Sequence, residues 1–310
     1  MLGLAKGFSE KDCQVSVFTN IASESSELNG FGFDIIRKWS LLKLFKEVRK
    51  SDVFIEANFS LKTALVGLLL RKKWVIIHHG IYDNTWKGAL KRHLTKLVGL
   101  NICVSQFVAN HIKGKSIVIP NFYNSKLFRN TNIERNRDIV FLGRLVNDKG
   151  ADILIKAIEL LNKKDRLVTA TVIGRGPEYY NLKSLVEYLG LESTISFTGA
   201  LSGDELVNAL NQHKVMVVPS LCEEAFGVVV LEGLACGCKL IVSNRGGLPD
   251  SIGRLGLIYK AESIEALAEA LEKMLYINIF NANEVEVQNY LSIHNESSIV
   301  NRYLEAITKI

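Results

Sequence analysis

The stretch Ile139–Leu161, IVFLGRLVNDKGADILIKAIELL, decides the fold. Its first residues belong to a β-branched and aromatic run, Asp138–Gly143, that reads as a buried strand. The run stops at Gly143 and a polar loop presents Arg144 and Lys149. From Ala151 to Leu161 the apolar residues recur at helical spacing. A strand feeding a helix through a short loop is half of a parallel βαβ unit.

The same alternation runs in both directions from there. Upstream, strands are expected at Cys13–Thr19, Val53–Asn58, Trp74–His79, Asn101–Ser105 and Ser116–Pro120. Downstream they are expected at Leu167–Gly174, Thr194–Thr198, Val215–Pro219, Lys239–Ser243 and Leu255–Tyr259. Helical patterns such as Ile264–Leu275 lie between most of them. This spacing fits an α/β chain with two doubly wound parallel-sheet domains and does not divide into eight equal units of a barrel. The polar stretch NTNIERNR, Asn130–Arg137, is the expected boundary. The domains are then 1–135 and 136–288, with 289–310 a terminal helix packing back on the first domain.

Net charge separates along the same line. Residues 1–135 hold 21 Lys or Arg against 10 Asp or Glu, and residues 136–310 hold 17 against 22. Such segregation points to an anionic partner for the first half. No nucleic-acid recognition motif accompanies the charge, so nucleic acid is not expected. Two stretches read as basic amphipathic helices suited to an anionic membrane surface. In the first, Leu41, Phe45 and Val48 share a face with Lys43, Lys46 and Lys50 elsewhere. In the second, Leu90, Leu94, Leu97 and Val98 are flanked by Lys87, Lys91, Arg92 and Lys96. The longest apolar run, Ala64–Leu70, is far too short to span a bilayer. No signal peptide is legible, and five unpatterned cysteines suit a reducing compartment, so the expected location is cytoplasmic and peripheral on the inner face of a membrane.

Three groups of residues carry chemistry. Arg144 and Lys149 sit at a strand's C-terminal end, where two cations can neutralise a diphosphate. In PSLCEEAFGVVVLE, Pro219–Glu232, a strand runs into a loop bearing Glu224 and then a helix bearing Glu232. A helix N-terminus favours phosphate, and a carboxylate beside it can accept from sugar or ribose hydroxyls. Glu232 lies among apolar neighbours, so a specific partner is expected for it. The glycine turns Gly174–Pro177 and Gly246–Pro249 follow strands and allow close backbone approach to a ligand. There is no dinucleotide fingerprint, P-loop, nucleophile elbow or metal-ligand cluster in the sequence.

Residues 138–260 resemble the donor-binding domain of the family 4 retaining glycosyltransferases, which have the GT-B fold of two Rossmann-like domains facing a cleft. The resemblance rests on Phe141–Gly150, the Gly174–Pro177 turn, Gly199, and the Glu224-x7-Glu232 motif closed by Gly237. It implies that Arg144 and Lys149 bind the donor diphosphate, that Glu224 contacts the donor sugar and that Glu232 contacts the ribose. It further implies nucleotide binding at Gly143, Gly174, Gly199, Phe226, Gly227 and Val228. The first half resembles the acceptor domain through Val75–Gly80 and Val104–Phe128, and His79 matches that domain's important histidine, with His78 structural. The family's opening strand and glycine-rich loop have no counterpart at the start of this sequence.

The resemblance implies a hexosyltransferase-type enzyme that moves a sugar from a nucleotide-diphosphate donor to a glycan or lipid-linked acceptor, in surface polysaccharide or lipopolysaccharide assembly. Neither cofactor nor metal is expected. The alternatives are a non-catalytic GT-B-like binding or scaffold protein of a glycan pathway, and a sugar-nucleotide epimerase, for which no acid–base set is visible.

Overall fold

A computed structural model of the chain describes residues 2–20, 32–70, 72–277 and 282–310. They form two compact units, Met1–Asn121 with Glu296–Ile310, and Phe122–Asn295.

The first unit begins with helix α1 (Leu2–Ser9), strand β1 (Ser16–Phe18) and strand β2 (Asp34–Ile36). Next come α2 (Leu41–Lys50), β3 (Val53–Ala57), α3 (Leu61–Leu70), β4 (Lys73–His78), α4 (Trp86–Leu94), β5 (Leu100–Cys103), α5 (Gln106–Asn110) and β6 (Ser116–Val118). Among the described residues β1 and β2 pair only with each other, in parallel, and β3-β4-β5-β6 form a second parallel sheet. Helix starts follow local chemistry. Ser40, Thr85 and Ser105 each cap a helix by accepting the N–H three residues on. Strand β4 turns Trp74 and Ile76 to one face, where Leu44 and Val48 of α2 and Ala64 and Val66 of α3 pack on them. Gly67 permits that closeness, since a Cβ there would lie 2.5 Å from the Trp74 ring.

The second unit contains β7 (Arg137–Leu142), α6 (Ala151–Asn162), β8 (Ala170–Ile173), α7 (Tyr179–Tyr188), β9 (Ile195–Gly199), α8 (Gly203–Asn211) and β10 (His213–Val218). It continues with α9 (Val228–Ala235), β11 (Lys239–Ser243), α10 (Leu248–Ile252), β12 (Gly256–Tyr259), α11 (Ile264–Glu272) and α12 (Glu284–Ile293). The last helix, α13 (Glu296–Thr308), belongs to the first unit, where Val300 meets Gly7 of α1 and Tyr303 lies edge-on to Phe8.

The second unit's parallel sheet has the order β12-β11-β10-β7-β8-β9. Helices α6 and α11 cover one face, packing Leu154, Ile158, Leu267 and Leu271 on Ile139, Phe141, Val215 and Val217. Helix α9 covers the other, with Gly233 tight against Met216. The chain leaves β7 toward β8 and β9 on one side, and β10 toward β11 and β12 on the other. The strand order therefore reverses between β7 and β10, and in such sheets ligands bind at the carboxyl ends of the strands at that point.

The polar stretch Asn130–Arg137 lies within the second unit rather than between units. The Arg135 guanidinium donates to the carbonyls of His213 at 2.8 Å and Cys236 at 2.6 Å, and Asn211 Oδ1 accepts the Thr131 N–H at 2.8 Å. Its polar residues thus bond backbone that would otherwise need other partners.

Candidate active site

Two loops meet at the reversal point. Residues 143–150 leave β7 and residues 219–227 leave β10. Asp148 O accepts the N–H groups of Leu221 at 2.8 Å and Cys222 at 3.2 Å, which fastens one loop to the other. Gly150 makes this possible. Its φ is +68° and a Cβ on it would stand 2.1 Å from Pro219 O. The result places the Lys149 ammonium in an ion pair with the Glu224 carboxylate, 75 residues away in sequence.

A second donor reaches the same Glu224 oxygen, Oε1. Ser220 Oγ donates to Glu224 Oε1 at 2.9 Å, and buried Ser243 Oγ donates to Ser220 O at 2.6 Å. Sequence reasoning passed over both serines, although Ser220 stands within the quoted motif. Ser243 ends β11, and only the β10–β11 pairing brings it to Ser220. Arg144 differs from Lys149. Its side chain is exposed and pairs with no acceptor among the described residues, leaving a cation open to an anionic ligand.

Helix α9 begins at Gly227, whose φ is +90° and which supplies no side-chain cap. The Val230 N–H donates to Gly227 O at 3.0 Å, while the N–H groups of Val228 and Val229 precede the first helical hydrogen bond and favour an anion. Glu232, one turn on, is partly buried and has no hydrogen-bond partner among the described residues. Burial alone raises its pKa to about 7.

Three expectations change in detail. Phe226 was expected to bind nucleotide, but its ring is buried and stacks on His294 with centroids 6.3 Å apart, so only its backbone is available to a ligand. The glycine turns press on protein backbone. A Cβ on Gly174 would meet Gly143 O at 1.8 Å, and one on Gly246 would meet Glu224 O at 2.2 Å. Gly247 N–H also donates to Glu224 O at 2.6 Å. These glycines let neighbouring loops approach one another, and Gly246–Gly247 sets the backbone that carries Glu224. Gly143, Gly174 and Gly199 follow or end the adjacent strands β7, β8 and β9, and Gly174 N–H donates to Gly199 O at 2.8 Å. Val228 is the first residue of α9. Among the described residues no group of three or more His, Cys, Asp or Glu could hold a metal ion.

In the first unit the two histidines at the end of β4 separate by role. Asn101 Nδ2 donates to the carbonyls of Thr95 and Lys115, so its Oδ1 accepts from His78 Nε2 at 2.9 Å. Tyr82 OH donates to His78 Nδ1 at 2.7 Å. Fully buried and bonded at both nitrogens, His78 is structural. His79 donates its backbone N–H to Asn58 Oδ1 at 2.9 Å, while its Nε2 is buried with no partner among the described residues. Burial lowers its pKa to about 4, so the ring is neutral at pH 7.

Comparison with known proteins adds the family. Residues 124–286 match the family described as Glycosyl transferases group 1. An uncharacterized glycosyltransferase of Methanocaldococcus jannaschii, MJ1178, is 32% identical over 253 residues, covering 75% of this chain and 69% of that protein. This chain belongs to the glycosyl transferases group 1 family. A GDP-mannose-dependent alpha-(1-6)-phosphatidylinositol monomannoside mannosyltransferase of Mycobacterium tuberculosis is 29% identical over 145 residues, which is 44% of this chain and 38% of that one. The crystal structure of Anabaena Alr3699/HepE in complex with UDP superposes with a TM-score of 0.85 at 18% identity, covering 100% of this chain and 95% of that chain. The α/β architecture, two parallel-sheet units, is that of the GT-B glycosyltransferases.

Proposed function

We propose that this group 1 glycosyltransferase is a retaining, family 4 hexosyltransferase that uses a nucleotide-diphosphate sugar. One juxtaposition supports the reading. Arg144, the Lys149–Glu224 pair and the start of α9 share the carboxyl ends of β7 and β10, where the strand order reverses. A diphosphate lying there meets two cations and the amides of α9. A sugar joined to it meets Glu224, and a ribose at its other end meets Glu232.

No carboxylate is assigned as a nucleophile: Lys149 and Ser220 both hold Glu224 Oε1, and its other oxygen is assigned to the hydroxyls of the donor sugar. The acceptor hydroxyl therefore attacks the anomeric carbon on the face from which the diphosphate departs. Its oxygen forms the new glycosidic bond, the bond to the phosphate oxygen breaks, and the proton passes to that departing oxygen. Arg144, Lys149 and the α9 amides stabilise the negative charge that develops there. No cofactor or metal is invoked. On the acceptor side, His79 offers a neutral ring to a sugar hydroxyl.

The acceptor is a glycan or lipid-linked molecule of surface polysaccharide or lipopolysaccharide assembly, handled by a cytoplasmic protein at the inner face of a membrane. The phosphatidylinositol mannoside in the mycobacterial relative's name supports a lipid-linked acceptor. The test is calorimetry with a panel of UDP- and GDP-sugars, followed by the anomeric configuration of the product by NMR. Binding of one sugar nucleotide and a retained configuration are expected. An inverted product overturns the family 4 assignment, and no binding across the panel overturns the donor reading.

A further inference from the structure

From Ala64 onward helix α3 is apolar on all sides yet lies in an outer layer. Its sequence from Leu61 is LKTALVGLLL. Ala64, Val66 and Gly67 face the sheet, but Leu65 is 59% and Leu69 70% exposed. A helix hydrophobic all round is normally buried in a core or set against lipid. Its neighbours repeat the pattern. Leu42 of α2 is 76% exposed and Trp86, the first residue of α4, is 72% exposed, with Leu90 and Leu97 following on the same connection.

These side chains belong to one surface. Helices α2, α3 and α4 all contribute to the cluster around Trp74 and Ile76, with Leu94 the half-buried contribution of α4. The connections β3–α3–β4 and β4–α4–β5 join neighbouring parallel strands, and right-handed crossovers put both helices on one side of the sheet. What faces away from the sheet on these helices is thus a single outer face of the first unit.

That face is basic. Residues 41–97 hold twelve Lys or Arg against four Asp or Glu. Of those carboxylates, Glu47 is already paired with Lys50 at 3.5 Å and Glu56 is buried beneath the Trp74 indole N–H. Lys87 lies over the Trp86 ring, 5.6 Å from its centroid. An exposed tryptophan beside lysines, next to exposed leucines, matches the layered chemistry of a bilayer surface, where acyl chains lie under anionic headgroups.

We propose that the outer face of α2, α3 and α4 docks on an anionic lipid bilayer, with Leu65, Leu69 and Trp86 entering the headgroup boundary and the surrounding lysines binding headgroups. The inserted surface is not the one that helical periodicity alone marks out. Val48 and Val98 are buried in the protein core. Arg92 donates to the carbonyls of Tyr82 at 3.0 Å and Asp83 at 2.9 Å, so it fastens a loop and is no headgroup ligand. Among the described residues no helix is long and apolar enough to cross a membrane, so attachment through this face is peripheral. The proposal stands apart from the donor-site reading.

The experiment is flotation of the full chain with phosphatidylcholine vesicles containing increasing phosphatidylglycerol, at low and high salt. Binding that rises with phosphatidylglycerol and falls with salt is expected. Changing Lys87, Lys91 and Lys96 together to Gln lowers partition about fivefold per lysine, about a hundredfold in all. Leu65→Ser with Leu69→Ser lowers it about tenfold or more without altering charge. Lys183→Gln with Lys260→Gln, on the second unit, leaves it unchanged. Donor calorimetry on the same variants stays normal, which separates this proposal from the donor reading. Indifference to phosphatidylglycerol, an unaffected lysine variant or an unaffected leucine variant each overturns it. Equal retention on RNA by the leucine variant and the parent protein, without vesicle binding, overturns it in favour of a nucleic-acid surface.

Discussion

The Lys149 ammonium and the Glu224 carboxylate form an ion pair across two loops separated by 75 residues. Each residue thereby has two duties. On the donor reading proposed above, Lys149 meets the leaving diphosphate while holding Glu224, and Glu224 meets the sugar through Oε2 while Lys149 and Ser220 both hold Oε1. Arg144 carries only the first kind of duty.

The two cations therefore differ when removed. Arg144→Ala and Lys149→Ala should each weaken sugar-nucleotide binding tenfold or more, as expected for a charge-assisted contact of about 1.5–3 kcal/mol. Lys149→Ala should also blunt discrimination between donor sugars, because Glu224 loses its anchor, whereas Arg144→Ala should not. Calorimetry with two nucleotide sugars that differ only in the sugar reads the difference. Equal selectivity in both variants argues against the shared role of Lys149.

Glu232 gives a pH signature. Its pKa is raised to about 7 by burial, and in the proposed ribose contact the hydroxyls would donate to the ionised carboxylate. Affinity for an intact sugar nucleotide, whose phosphodiester groups do not titrate nearby, should rise from pH 6 to pH 8 and be flat in Glu232→Gln. Stability has the opposite sign. A carboxyl raised from 4.5 toward 7 favours folding below its ordinary value, and that contribution disappears as pH rises through about 7. In the absence of donor, Glu232→Gln should gain in Tm relative to the parent at pH 8 and not at pH 5.

Gly150 separates strain from site geometry. Gly150→Ala should lose more than about 1 kcal/mol of stability and most of its donor affinity, since the new Cβ drives the 143–150 loop from Pro219. Gly190 has nearly the same φ, +66°, but open space around it. Gly190→Ala should show the backbone cost and keep normal donor binding. Thermal melts and calorimetry on the pair decide the matter.

The histidines at the end of β4 should part in the same way. His78→Ala removes two buried hydrogen bonds and leaves Asn101 and Tyr82 unmatched, which costs about 2–3 kcal/mol or more. His79→Ala should melt near the parent temperature yet turn over poorly at saturating donor. A large fall in Tm for His79→Ala would make that residue structural too.

By itself the sequence determined the repeating strand and helix pattern, because a period of two or 3.6 is local physics. It also marked the loops proposed to carry chemistry, since Gly143, Gly150 and Gly227 punctuate the strand and helix ends near Arg144, Lys149, Glu224 and Glu232. Strand β2 escaped notice because Asp34–Ile36 is three residues long, too short to show alternation, and exists through its pairing with β1. Tertiary structure alone put β10 beside β7, and so Lys149 beside Glu224, because pairing between distant strands is a matter of packing rather than of either segment's pattern. It also turned Phe226 inward, spent the turn glycines on loop-to-loop contact and assigned Arg92 to a loop. Finally, it left the leucines of α3 outside. One apolar run can face a core or a bilayer, and only the sheet it packs against decides which of its residues remain for the second.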